Sequence, residues 1–134
     1  MVEMPEVEFA RQTLTFVQFL LLMGVTHEWF HRALVNRLYY AGHHLGRRLL
    51  IEAGLQPEQW RQNVHRRVLE ELERNYVATG RMSRDALDAL NELRNLRRTA
   101  DYDMVRHIRL RDLNRAVRLF ETFASECFRI LGVS

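Results

Sequence analysis

Apolar residues recur along this chain at steps of three and four, the period of a helix that buries one face. Gly24, the Gly54-Leu55-Gln56-Pro57 turn, Gly80 and a polar break at Asp101 to Asp103 divide the pattern into five segments, each long enough for a helix. The first runs from about Glu6 to Met23. The second, about Thr26 to Ala53, has Thr26 as its expected N-cap and a stripe of Phe30, Leu34, Leu38, Ala41, Leu45 and Leu49. The third, about Pro57 to Thr79, spaces Trp60, Val64, Val68, Leu72 and Tyr76 four apart, with Pro57 in its first turn. Ser83 is placed to cap the fourth, which carries Ala86, Leu90, Leu93 and Leu96. The fifth alternates steps of four and three through Leu113, Val117, Phe120, Ala124, Cys127 and Leu131, the seam of a helix lying nearly parallel to a neighbour. These patterns predict an all-α, up-and-down bundle of four long helices plus one additional helix, forming a single domain over residues 1–134.

Composition narrows the picture. The 134 residues suffice for one core burying roughly two-thirds of the unfolded surface. One cysteine, Cys127, excludes an internal disulfide and any multi-cysteine metal site. Two prolines and six glycines leave too few turns for a many-stranded sandwich. All 20 basic residues are arginine, so no lysine is available for a Schiff base or a phosphate loop. The net charge is +3, unevenly spread: eight arginines lie between Arg94 and Arg118 against Asp101, Asp103 and Asp112. That local excess suits either a polyanion or a solvated helix face. The beginning, Met1-Val2-Glu3-Met4-Pro5-Glu6, is acidic where a secretory signal would be basic, and the expectation is a cytoplasmic protein without a membrane span. The first segment is apolar beyond a single stripe, with Leu14, Phe16, Val17, Phe19, Leu20, Leu21, Leu22 and Met23, which predicts a homodimer.

Candidate chemistry lies mainly on the second and fourth segments. Glu28-x-x-His31 has the step used by carboxylate-bridged di-metal bundles, but a second copy and two further glutamates are missing, and the other histidines make no zinc motif, so no metal or other cofactor is expected. Arg37, Tyr40, Ala41 and His44 share one helix face beside the apolar stripe. Either Arg37 pairs with an acid on a neighbouring helix or the group forms a polar pocket. Arg94, Arg97 and Asp101 share a face of the fourth segment, with Arg97 and Asp101 at ion-pair spacing.

The run Asn36-Arg37-Leu38-Tyr39-Tyr40-Ala41-Gly42-His43-His44, followed by Arg48-Leu49-Leu50, Gly54-Leu55, His65 and Arg97-Arg98-Thr99-Ala100-Asp101-Tyr102, resembles the HEPN domain family (higher eukaryotes and prokaryotes nucleotide-binding). Small prokaryotic members carry a run like S-R-x-Y-Y-A-x-F-H on one helix and R-x-x-A-D-Y near the end of a later one. The likeness covers about residues 26 to 125. It implies an all-α bundle, often dimeric, that binds nucleotide or RNA and is frequently encoded beside a minimal nucleotidyltransferase. Arg37, Tyr40 and His44 match the first motif, and Arg97, Asp101 and Tyr102 the second. His43 stands where an aromatic residue is usual. Together with Arg94 these are the candidate nucleotide- or RNA-binding residues, and the two motifs should converge, with Arg37 and His44 close to Arg97, Asp101 or Tyr102.

The family's ribonuclease branch places a histidine after an arginine with four to six residues between them, near the end of the bundle. After Arg94 those positions hold Thr99, Ala100 and Asp101; after Arg97 they hold Tyr102, Asp103 and Met104. Arg37 with His43 or His44 satisfies the number on the wrong helix. Metal-free RNA cleavage needs a group that moves a proton, which arginine cannot do at neutral pH. The leading expectation is therefore a nucleotide- or RNA-associated protein, non-catalytic alone, paired with a nucleotidyltransferase in a toxin–antitoxin or defence system. The alternatives are a metal-independent endoribonuclease with an atypical Arg/His site and a structural helical interaction protein.

Overall fold

A computed structural model describes residues 4–133. Five α-helices follow in order: α1 (Pro5–Leu22), α2 (Glu28–Glu52), α3 (Val64–Leu72), α4 (Arg84–Tyr102) and α5 (Leu110–Leu131). There is no strand among the described residues. The molecule is an all-α bundle of four long helices and one short one. The longest, α2, packs against α1, α3, α4 and α5, and α4 also packs against α5.

The predicted stripes are the core. Leu34, Leu38, Ala41, Leu45 and Leu49 of α2 are buried, with Phe30 only partly so. Ala86, Leu90, Leu93 and Leu96 of α4 meet Leu113, Val117, Phe120, Ala124 and Cys127 of α5 in the same cluster. Pro5 opens α1, where Glu6 and Glu8 complement the positive end of the helix dipole. Ser83 caps α4 as predicted, its Oγ accepting from the Ala86 N–H at 3.1 Å. Thr26 does not cap α2: the N-cap is His27, whose side chain makes no capping bond. The helix starts where Glu28 is fixed, because that carboxylate accepts from Arg32 at 3.0 Å and from the Ile108 N–H at 3.2 Å.

The third segment is not one helix from Pro57. Pro57–Gln59 form a 3₁₀ turn, Trp60 is extended, and Asn63 takes a left-handed conformation (φ 53°) before α3 begins at Val64. Asparagine tolerates that region better than most residues. After Leu72 the chain widens into a π turn over Glu73–Val77, closed by Ala78 N–H to Glu73 C=O at 2.8 Å. This turn carries the buried Tyr76, whose hydroxyl donates to the Leu49 carbonyl of α2. Gly46 lets α3 approach α2 closely: a Cβ there would lie 3.1 Å from Leu72 Cδ1 and 3.2 Å from Val68 Cγ1.

The link between α4 and α5 is strapped to α2. Arg32 donates to the carbonyls of Ala100 (2.8 Å), Asp103 (3.0 Å) and Arg106 (2.5 Å), satisfying the end of α4. His107 meets Glu28 Oε2 at 3.1 Å, and the His31 ring Nδ1 lies 2.8 Å from the Ile108 carbonyl. Bonding to His107, then to the Ile108 N–H and Arg32, holds the Glu28 carboxyl down at about 2. The strap fixes the last turn of α4, which carries Asp101.

Candidate functional site

The two sequence motifs meet between α2 and α4. Asn36 Nδ2 donates to Asp101 Oδ2 at 2.9 Å, and Arg97 Nη1 reaches the same oxygen at 3.4 Å. The Arg97 guanidinium lies over two rings of α2, 5.0 Å from the Tyr39 centroid and 5.5 Å from that of Tyr40. Tyr40 receives a second guanidinium, since Arg37 sits 5.4 Å from its centroid. Each contact of this kind stabilises by about 0.5–2 kcal/mol, more where water is excluded. Arg97 is 7% exposed, so its charge is held largely by ring faces and one distant carboxylate. Its Nε is buried and has no acceptor, and the same is true of Arg94 Nε.

Behind these residues lies a layer of rings. Tyr39 hydroxyl and His65 Nδ1 are 2.6 Å apart, and the His65 and His43 rings stack at a centroid distance of 4.4 Å. Burial pushes the Tyr39 phenol up to about 12, although Arg94 and Arg97 pull the other way. Burial, then the neighbouring His65, His44, Arg47 and Arg97, pushes His43 down to about 3. His65 is lowered by burial and by Arg97, Arg94 and Arg47. The site therefore holds neutral imidazoles among permanent cations.

Arg37, Tyr40, Arg94, Arg97 and Asp101 thus belong to one region. Arg37 is exposed and pairs with no acid among the described residues; it donates to Asn36 Oδ1 at 2.8 Å. His44 faces α1 instead, edge-on to Phe9 at 5.9 Å in a groove with Pro5 and Glu6, with the His43 ring 5.7 Å away. Burial, then Arg47, lowers its pKa. Tyr102 lies outside the cluster. It is 75% exposed in a shallow groove with Asn95, Arg98, Met104 and Val105, because one further helical residue turns the side chain about 100° away from Asp101.

Asn36, Tyr39, His43 and His65 are members that spacing alone did not select. Tyr39 and His43 are four apart on α2, a legible pair, but His65 joins only because α3 packs beside them. No three metal-ligating side chains gather among the described residues: Glu28 binds Arg32, His107 and the Ile108 N–H, while His31 turns to the Ile108 carbonyl. Several arginines of the Arg94–Arg118 run are structural, as in Arg115 to Glu92 at 2.5 Å and Arg106 to Asp112 at 3.4 Å. No protein-family model matches this chain, nor does any curated protein or solved structure. Among the described residues no helix is long and apolar enough to cross a membrane.

Proposed function

We propose that this chain is a HEPN-like, cytoplasmic protein that binds a nucleotide or RNA on the α2–α4 face, does not cleave RNA alone, and works with a minimal nucleotidyltransferase in a toxin–antitoxin or defence pair. The supporting observation is the meeting of the two motifs: Tyr40, half-buried, carries the guanidinium groups of Arg37 and Arg97, with Asn36 Oδ1 accepting from the first and Asp101 from the second. Stacked aromatics with arginine suit unpaired bases and phosphate together. The protein is a homodimer through α1, whose Phe16, Phe19 and Leu22 are exposed, as is Met23 just after it.

A specific observation favours an enzyme as the second reading. His65 is only partly buried and its pKa is lowered by burial and by Arg97, so a neutral proton acceptor and a phosphate-stabilising cation stand together although the usual spacing is absent.

One assay separates these readings: a labelled single-stranded RNA is titrated with protein at about 50 and about 200 mM salt, beside a cleavage gel. The expected result is binding that weakens steeply with salt and gives no products. Products lost in His65→Ala support the enzyme. No binding in either salt contradicts both and favours a structural interaction protein. Co-purification with a co-encoded nucleotidyltransferase tests the partner.

A further inference from the structure

The ring layer behind Tyr40 has a polarity that the motif residues do not explain. The charged groups against it are cations. Arg94 and Arg97 each bury an Nε with no acceptor, and neither Arg47 nor Arg94 forms an ion pair among the described residues. Among the described residues Asp101 is the acid bonded to this cluster, and it is already shared by Arg97 and Asn36.

The His65 tautomer adds another donor. The Tyr39 phenol keeps its hydrogen at neutral pH, and the nearby guanidinium offers only donors. The hydroxyl hydrogen is therefore assigned to the Nδ1 lone pair 2.6 Å away, which leaves the ring hydrogen of His65 on Nε2.

We propose that His65 Nε2–H, with the guanidinium groups of Arg47, Arg94 and Arg97, forms a binding site for a phosphate group. This rests on the nucleotide- or RNA-binding reading and deepens it by naming the chemical group recognised and the residues that recognise it. A phosphate offsets the charges of Arg47 and Arg94, one helical turn from His43 and from Arg97 respectively, which no acid among the described residues pairs. Arginine suits this role because its planar fork bonds two oxygens at once. The phosphate is either terminal, on a mononucleotide, or internal, in an RNA backbone.

The test is a pH titration of the histidine rings of the full-length protein by NMR, with His65→Gln identifying the His65 signals. Groups facing that ring are Tyr39, Tyr40, His43, His44 and Arg47 of α2 and Arg94 and Arg97 of α4. Three probes are added in turn: inorganic phosphate, adenosine monophosphate, and a dinucleoside monophosphate with no terminal phosphate.

Inorganic phosphate is expected to move the His65 signals and raise their midpoint, because an added anion opposes the arginine charges that lower it. Arg94→Gln should weaken phosphate binding by about tenfold or more, whereas Arg111→Gln, a neutralised exposed residue of the same basic run, should not. Response to the mononucleotide alone identifies a terminal phosphate; an equal response to the dinucleoside probe identifies a backbone phosphate. His65 signals that stay fixed under saturating phosphate and both nucleotide probes overturn the site, as does equal weakening in the two arginine variants. RNA or nucleotide binding that leaves His65 undisturbed overturns this inference while the broader function stands. Phosphate that shifts His65 when neither nucleotides nor RNA bind keeps the site and defeats the broader function.

Discussion

His43 is 4% exposed yet ionisable, and its neighbours decide which form the fold accepts. With a folded value near 3 against 6.5 unfolded, the unfolded chain takes up a proton between those pH values that the folded chain refuses. The ring therefore costs no stability above about pH 6.5, and stability falls as pH drops through that window, by about 2 kcal/mol between pH 7 and pH 5. His43→Phe, which restores the aromatic residue usual in the motif it resembles, is expected to remove most of that loss. Urea unfolding of both proteins at the two pH values checks it; equal acid sensitivity would contradict the burial of a neutral ring. At this scale the sequence was informative where partners lie one helical turn apart, as with Arg97 and Asp101. His65 could not be read this way, since its place beside His43 depends on where α3 docks. His44 misled for the converse reason: it shares the motif's face only approximately, and Phe9 and Glu6 of α1 claim its ring.

Among the elements, α2 was the most legible, because its apolar stripe runs unbroken from Leu34 to Leu49 and every member is buried. The third segment was the least. Spacing of four from Trp60 to Tyr76 concealed a 3₁₀ turn, a left-handed Asn63 and a π turn, none of which alters which residues are apolar. What locks this segment is contact with α2, through the Tyr76 hydroxyl on the Leu49 carbonyl and the closeness of Gly46 to Val68 and Leu72. Gly46→Leu is expected to destabilise by about 1–3 kcal/mol despite leucine's better helix propensity, since the added atoms must displace two packed side chains. A lowered urea midpoint checks this, and an unchanged one would contradict the α2–α3 packing. Ser83→Ala, removing the only cap that the sequence located correctly, should cost about 1 kcal/mol in the same measurement.

For the whole molecule, the apolar excess of α1 splits in two. Val17 is buried, and Leu14, Leu20 and Leu21 pack partly against the core, while Phe16 (59%) and Leu22 (88%) remain exposed. Burying that ridge is the physical motive for the proposed homodimer. Light scattering should report about 32 kDa, twice the 16.0 kDa chain, and Phe19→Glu should return the monomer mass. A monomeric wild type at micromolar concentration would contradict the dimer. Net charge of +3 says less about partners than the arrangement of the arginines, because among the described residues Arg106 and Arg115 pair with carboxylates while Arg37 and Arg94 do not. The nucleic-acid reading thus predicts that position, not total charge, governs binding. The most direct measurement is the affinity of a labelled single-stranded RNA for wild type, Arg37→Gln and Arg111→Gln at one salt concentration. Both substitutions remove one positive charge from an exposed residue, but only Arg37 stacks on Tyr40. Arg37→Gln should weaken binding about tenfold and Arg111→Gln by no more than about twofold; equal losses in the two variants, or no binding by the wild type, would contradict the account.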